Sequence, residues 1–172
     1  MPATVNVNFR TVVHKDSSGI CSGFPDVCKT PSPPAPFVPI PYPNIAQSTD
    51  TNMGSTTVKM DGNPIMLKGS VFAQSTGDEG GTAGGGMVTN TIKGKAEFLL
   101  YSFDVQVEGK GVCRLADIMG MNKTAPGSPT NTPPFPLIQP PLVALPSLHT
   151  EPPSKDWSIT KLDFGDEPPP EE

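Results

Sequence analysis

Few side chains in this sequence are suited to chemistry, and those few are metal ligands rather than acid–base groups. The candidates are two histidines and three cysteines: His14, Cys21, Cys28, Cys113 and His149. No C-x-x-C or H-x-x-x-H pair joins them, so their spacing alone is a weak indication of zinc. Because there is also no G-x-S-x-G nucleophile motif and no phosphate-binding glycine motif, we expect no enzyme.

A pattern that recurs three times predicts the elements on which these ligands lie. It is carried by TVNVNFRTVVHKD (4–16), STTVKMDGNPIMLKGS (55–70) and SFDVQVEGKGVCRLAD (102–117). Val5, Val58 and Val105 align, each followed by Asn, Asp or Glu and then by two adjacent apolar residues. Two alternating strands around such a turn predict a β-hairpin. Since one hairpin is marginal alone, we expect three to share a core, giving a mainly β fold with approximate threefold symmetry.

The same alignment brings three of the candidate ligands toward one place. Cys113 is the equivalent of Val13, and His14 directly follows Val13, so both lie at matching hairpin ends. Cys28 comes soon after the first hairpin. We therefore expect a zinc site of His14, Cys28 and Cys113, which would stabilise a domain with a small core. The alternative is that the thiols act as small buried hydrophobes and His14 lies on the surface.

A stretch that is rich in proline and yet apolar follows the first hairpin. It reads PDVCKTPSPPAPFVPIPYPNIAQ (25–47), with seven prolines between Pro31 and Pro43. Prolines at this density exclude a helix or a central strand. We expect an extended, packed segment that buries Phe37, Ile40 and Tyr42. Its PxxP spacings leave one alternative function, a proline-rich adaptor that recruits SH3-like partners or effectors.

Charge and composition divide the chain near residue 124. Residues 1–124 carry ten basic and ten acidic residues, whereas residues 125–172 carry two and seven, which accounts for the net charge of −5. Without a basic face, binding to nucleic acid is not expected. Thirteen prolines fall within residues 126–170, so we expect a domain over 1–124 and an extended or partly disordered, acidic extension over 125–172.

The chain shows no features of secretion or membrane insertion. Its first residues lack a basic region followed by an apolar one, and no apolar run is long enough to span a bilayer. We therefore expect a cytoplasmic protein without a signal peptide. Three cysteines are an odd number, which argues against a disulfide framework.

Several strings, in order along the chain, resemble the PAAR-like spike-tip family of type VI secretion systems and polymorphic toxins. The resemblance covers roughly residues 3–122 and leaves the extension uncovered. The matching strings are VVHKDSSG (12–19), PDVCKTP (25–31), PIPYPNIA (39–46), STGDEGGTAGGG (75–86), YSFDVQVEGKGVCRLAD (101–117) and MGMN (119–122).

The resemblance implies a small conical domain that caps and sharpens a trimeric spike protein of the valine-glycine repeat type. One tip would sit on three spike chains, contact the target membrane briefly as it punctures it, and be exported by contraction after assembly in the cytosol. A type VI system and a phage-like extracellular injection particle are both compatible with it. The residues expected to dock on the spike or pack the cone are Phe37, Ile40, Tyr42, Val58, Val105 and Val107.

The resemblance also implies a metal near the point of the cone, where Cys28 joins His14. Relatives commonly continue the MxMN string with a histidine, but Lys123 stands there in this chain. Cys113 is then the substitute ligand. The extension is too short and too poor in core-forming residues for a toxin domain. We expect it to bind a separate effector, an adaptor or the side of the spike.

Overall fold

A computed structural model describes residues 3–140. Within them the chain forms short antiparallel strands, one 3₁₀ turn at Ser48–Asp50 and no α-helix, so the expected mainly β fold class is confirmed. Most of the extension, with His149, lies outside the described residues. The strands are β1 Asn6–Val7, β2 Arg10–Thr11, β3 Ile20–Ser32, β4 Ala35–Gln47, β5 Thr51–Asn52, β6 Lys59–Met60, β7 Asn63–Pro64, β8 Val71–Phe72, β9 Ser75–Thr76, β10 Gly85–Gly86, β11 Lys95–Phe98, β12 Gln106–Val107, β13 Lys110–Gly111, β14 Ile118–Lys123 and β15 Phe135–Pro136.

These strands form three small hairpins and two larger sheets. The hairpins pair β1 with β2, β6 with β7 and β12 with β13. One larger sheet has the order β10-β3-β4-β9, and the other has the order β15-β14-β11-β8-β5. In the part of the chain that the structure describes, no helix has the length and apolarity of a membrane span.

Each small hairpin turns through two residues with positive φ. The pairs are Asn8–Phe9 (51° and 62°), Asp61–Gly62 (51° and 79°) and Glu108–Gly109 (54° and 71°). Two successive positive φ angles define a type I′ turn, whose twist matches that of the flanking strands. The Asn, Asp or Glu of the sequence pattern is therefore the first turn residue, a position that favours short polar side chains or glycine.

A closed ring of backbone hydrogen bonds joins the three hairpins. The Val13 amide donates to the Cys113 carbonyl (3.2 Å), Cys113 to Met66 (2.9 Å) and Met66 to Val13 (2.9 Å). These three residues occupy the same position of the sequence pattern. The hairpins are thus related by an approximate threefold axis, and each one needs both neighbours to satisfy its buried backbone groups.

The two adjacent apolar residues of the pattern point into two different cores. Because neighbouring side chains on an extended chain alternate in direction, the first and second members separate. The first members, Val12, Ile65 and Val112, pack with Val7 and Leu67 in a hairpin core, against which Val58 and Val107 are partly buried. The second members enter a central core under the larger sheets: Val13, Cys21, Ala46, Met66, Phe72, Ala96, Phe98, Cys113, Met119, Met121 and Leu137.

The turn side chains link each hairpin to the next one around the ring. The Asp61 carboxylate accepts a hydrogen bond from the Thr4 amide (2.8 Å). In the third hairpin, the Glu108 carboxylate accepts the Thr57 amide (2.7 Å). The third link reverses its polarity, since Asn8 donates to the Asp104 carboxylate (2.9 Å). Three equivalent contacts therefore use two acidic turns and one amide turn.

Glu108 makes this link sensitive to acid. Its carboxylate Oε1 also accepts hydrogen bonds from Ser55 Oγ (2.8 Å) and from the amide and hydroxyl of Thr56. The Thr57 hydroxyl donates to the same oxygen. Together these hydrogen bonds, of which the one from the Thr57 hydroxyl has the largest effect, lower the pKa of Glu108 from 4.5 to about 2. A depressed pKa in the folded state means stabilisation that is present above pH 4.5 and is lost as the pH falls toward about 2.

Glu108→Gln is expected to lower the free energy of unfolding at neutral pH, and the deficit should shrink as the pH falls through this window. Urea unfolding of wild type and variant across the window measures it. Asp50→Asn is the matched control, because among the described residues the Asp50 carboxylate accepts no hydrogen bond. A deficit for Glu108→Gln that stayed constant with pH would contradict the assignment.

The proline-rich stretch is extended, as its prolines require, and forms most of β4. It pairs with β3 in a long antiparallel hairpin whose register sets Pro39 opposite Lys29 and Pro41 opposite Val27. Since proline lacks an N–H group, these prolines occupy positions whose N–H would point away from β3. The outer edge of this hairpin consequently offers few donors to a further strand, as suits an exposed edge.

The expected burial of this segment is only partly correct. Phe37 and Tyr42 are half-buried, but Ile40 is 38% exposed, so its expected burial is wrong, while a docking role for it stays a prediction. Ile40 lies opposite Cys28, in the uninterrupted run of pairing between the two register shifts of the β3–β4 hairpin. Its exposure therefore does not follow from a change of register.

The first residues of the extension pack on the body of the protein. Strand β15 pairs with β14, so that Phe135 lies opposite Met119. Leu137 is 1% exposed, and Ile138 bridges to Ile20. Backbone pairing with the body of the protein thus includes residues 135–138.

Candidate functional site

The main cluster of potential ligand atoms lies between the long hairpin and the glycine-rich loop. Asp26, Cys28 and Asp78 each place one ligand atom within 4.8 Å of the other two. All three residues are 0% exposed. Among residues 3–140 they are the one such group of three His, Cys, Asp or Glu side chains. We call this group the acid–thiol cluster.

Backbone geometry explains how these three residues meet. Asp26 and Cys28 are two residues apart on β3, so their side chains emerge on the same face. Asp78 follows β9, in a loop that approaches the hairpin closely. A Cβ atom at Gly81 would lie 2.5 Å from Cys28 Cβ. The glycines of this loop therefore allow the backbone to approach close enough for Asp78 to reach the hairpin.

Three carboxamides surround Asp26. Asn44 Nδ2 donates to Asp26 Oδ2 at 2.5 Å, and Asn122 Nδ2 donates to Oδ1 at 3.3 Å. Asn131 Nδ2 also donates to Oδ1. The Cys28 thiol completes the set, with its Sγ 3.6 Å from Asp26 Oδ1. These donors hold the carboxyl group of Asp26 in a fixed position.

The acid–thiol cluster contains two carboxyl groups and no basic side chain. No ion pair among the described residues includes Asp26 or Asp78. Burial, followed by the charges of Asp26 and Asp78, raises the pKa of Cys28 to about 12. Burial likewise raises the pKa of Asp78, against two hydrogen bonds from the Lys93 amide. Such a site favours cations and suppresses the free thiolate.

The structure does not bring the predicted ligands His14, Cys28 and Cys113 together. The His14 ring is buried, with Nε2 3.2 Å from Asp61 Oδ2. Cys113 lies in the central core, where burial raises its pKa well above the usual value. Only Cys28 belongs to a cluster of ligands. Cys113 is the equivalent of Val13, whereas His14 directly follows Val13. Because neighbouring side chains on an extended chain point in opposite directions, His14 and Cys113 lie on opposite faces of their equivalent hairpins.

The sequence did contain a signal for the cluster that does form. Asp26 and Cys28 have the i, i+2 spacing that places two ligands on one face of a strand. The prolines predict extended structure here, but the residue types alone indicate only Cys28 as a ligand. Asp78 was hidden in a glycine-rich stretch whose polar residues are typical of turns.

Lys123, at the position where the family resemblance implies a histidine, takes no part in the acid–thiol cluster. It is 4% exposed, and its ammonium group contacts the Glu97 carboxylate. Glu97 also accepts the Gly127 amide at 2.8 Å. This position therefore carries a buried ion pair in place of a candidate ligand.

A second feature is an exposed apolar surface at the hairpin ring. Phe9, in the β1–β2 turn, and Phe103, just before β12, are 103% and 84% exposed. The hydrogen bond between Asn8 and Asp104 ties the two neighbouring segments together. Val105 adds a side chain that is 37% exposed. We call Phe9, Phe103 and Val105 the hairpin patch.

Comparison with known proteins identifies the family. A family model described as the toxin PAAR-like domain matches residues 19–128. The chain belongs to this family. The resemblance noted from the sequence strings is thus confirmed. The toxin PAAR-like chain is also 43% identical over 122 residues to the DNase toxin Tse7 of Pseudomonas aeruginosa. No solved structure matches it.

That relative overturns one expectation. We expected no enzyme, but the relative is named a DNase toxin, which is an enzymatic activity. The match covers 68% of this toxin PAAR-like chain and 31% of the relative. The chain therefore spans about a third of the curated relative it matches, and most of that protein lies outside the comparison. The scarcity of acid–base residues in this chain therefore carries no information about the rest of that relative.

Proposed function

We propose that this protein caps the trimeric spike of a contractile injection machine and takes part in delivering a toxin effector. Family membership and the effector relative support a role in effector delivery. The observation that carries the docking proposal is the hydrogen-bonded ring of Val13, Met66 and Cys113. A body with an approximate threefold axis can make three similar contacts with a threefold partner.

The hairpin patch is the surface we propose for this contact. Phe9 and Phe103 belong to neighbouring hairpins of the ring. Exposed apolar patches on a soluble protein commonly mark interaction sites, and buried aromatic anchors dominate binding energy at interfaces. Val105 and Val107, which we predicted for packing or docking, lie in the third hairpin with Phe103, whereas Val58 lies in the second hairpin. We propose zinc as the resident metal, as argued for the acid–thiol cluster below.

The cellular part of the proposal follows from this docking role. We propose that the tip is assembled on the spike in the cytosol, is exported by contraction, and contacts the target membrane briefly as it punctures it. Residues 125–172 would hold an effector, an adaptor or the side of the spike. The adaptor alternative, in which the prolines recruit SH3-like domains, is disfavoured because β4 pairs with β3 along this stretch.

Mixing the protein with a trimeric valine-glycine repeat type spike tests docking. We expect one copy of this chain per three spike chains, measured as complex mass. Phe9→Ser combined with Phe103→Ser should weaken the complex at least about 30-fold, as loss of an interface anchor does. Phe24→Ser is the matched control, since Phe24 is 58% exposed on β3 rather than on the ring.

The outcomes of this experiment test the spike-tip role and the docking surface separately. Failure of the wild-type chain to bind would overturn the spike-tip proposal. Normal binding by the double variant would keep the role and reject the hairpin patch. Because both phenylalanines are exposed, their replacement should leave the unfolding midpoint unchanged, which excludes a folding defect as the cause.

A further inference from the structure

We infer that Asp26, Cys28 and Asp78 bind a divalent cation of the zinc type, which joins the glycine-rich loop to the long hairpin. One carboxylate oxygen from each aspartate and the Cys28 sulfur would be its ligands. The three atoms already lie within 4.8 Å of one another, and ligands of one tetrahedral ion are neighbours at such separations. This ligand set differs from His14, Cys28 and Cys113, with which it shares only the thiol.

Charge balance is the first argument. Two fully buried aspartates stand side by side, and no ion pair in residues 3–140 gives either of them a basic partner. Buried carboxylates are normally paired with a cation, protonated or bound to a metal. The amides around Asp26 supply hydrogen bonds but no net positive charge. A divalent cation would balance the two carboxylates directly.

Asn44 gives an independent indication of a ligand. Its side chain is 0% exposed, and its carboxamide lies against Asp26, with Nδ2 2.5 Å from Oδ2. The Oδ1 atom of the same carboxamide is buried and has no hydrogen-bond partner in the described structure. Buried acceptors are rarely left unsatisfied. A cation or its bound water beside Asp26 would satisfy this oxygen and supply the fourth position.

The donor set selects the ion. Thiolate is a soft ligand that favours zinc, whereas calcium and magnesium prefer all-oxygen sites. Asn122 Nδ2 lies 3.9 Å from Cys28 Sγ and donates to the carbonyl of Thr91 at 2.9 Å. This carboxamide can orient the sulfur while it holds the loop, as the groups behind metal ligands commonly do.

Burial determines how the ion would enter. All three ligands are inaccessible in the folded chain, so loading would accompany folding, and the ion would stabilise the folded state. The experiment therefore uses the full chain, unfolded with a chelator and refolded with zinc, with cobalt or with chelator alone. We expect one zinc ion per chain after removal of free metal. We also expect zinc to raise the unfolding midpoint by about 10 °C.

Variants locate the site. Cys28→Ser and Asp78→Asn should each lose the bound zinc and the zinc-dependent rise in midpoint. Cys21→Ser is the matched control, because Cys21 is an equally buried thiol of the central core. It should keep both. If Cys28→Ser does not fold, the cobalt form of wild type and of Cys21→Ser should still show thiolate-to-cobalt charge-transfer absorption.

Three results would overturn the inference. A wild-type chain that refolds in chelator to full stability and takes up neither zinc nor cobalt has no such site. Retention of zinc by Asp78→Asn together with Cys28→Ser would move the metal elsewhere. A cobalt form without thiolate absorption would exclude Cys28 as a ligand. Each result can be obtained with the free chain, so it is independent of spike binding.

Discussion

Phe72→Ala is expected to lower the free energy of unfolding by about 3–5 kcal/mol, the usual loss when a fully buried phenylalanine is truncated. Phe72 is 0% exposed and lies on β8, between β5 and β11. Its ring meets that of Phe98 edge to face, with centroids 5.7 Å apart and planes at 85°. Truncation removes this contact and leaves a cavity in the central core. Urea unfolding at neutral pH measures the loss.

Phe103→Ala is the matched control for this prediction. The same side chain is removed, but Phe103 is 84% exposed, so the change should stay within about 0.5 kcal/mol. Similar losses for the two variants would mean that the central core does not dominate stability. A large loss of stability for Phe72→Ala alone would show that stability depends on the central core, which the five-stranded sheet shares with the hairpin ring.

The hairpin ring is the part of the fold that local patterns could predict. An acidic or amide residue at the turn is compatible with positive φ, and the flanking alternation fixes which strand residues are buried. The two adjacent apolar residues were visible in the sequence. Their division between two cores was not, because it depends on the second layer, which the sequence pattern does not describe. Val13 and Met66 therefore looked like extra hairpin residues, although they anchor the larger sheets.

The long hairpin shows why the rest was harder to predict. Its register shifts between Gly23 and Asp26 and again between Thr30 and Ser32. Each irregularity changes which residues share a face, and a shift of one residue reverses every later assignment. The extended conformation followed from the prolines alone, whereas the buried face of β3 passes from Cys21 and Gly23 to Asp26 and Cys28 across the first shift.

The acid–thiol cluster depends on contacts between distant parts of the chain. Asp26 is held by Asn44, Asn122 and Asn131, which come from β4, β14 and the segment before β15. No local pattern connects these carboxamides. Residue type alone points to His14 and Cys113, because histidine and cysteine are the usual zinc ligands. The structure instead groups the thiol with two carboxylates, which are common residues and carry little signal by themselves.

Gly77→Ala is expected to lower the free energy of unfolding by about 3–5 kcal/mol, because steric overlap and backbone strain act together. Gly77 has φ +123°, and a Cβ atom there would lie 2.2 Å from the Pro43 carbonyl oxygen. That oxygen belongs to the backbone of β4, so it cannot move aside as a flexible side chain would. Thermal and urea unfolding of the full chain measure the effect.

Gly62→Ala separates strain from overlap. Gly62 also has a positive φ, +79°, but nothing lies within 4 Å of a Cβ atom at this position. Strain alone should lower the free energy of unfolding by about 1–2 kcal/mol. If Gly77→Ala lowered the free energy of unfolding by no more than Gly62→Ala does, the close approach of the loop to β4 would not be a rigid feature of the fold. A larger loss would show that this approach is fixed, and with it the position of the neighbouring Asp78 beside Asp26 and Cys28.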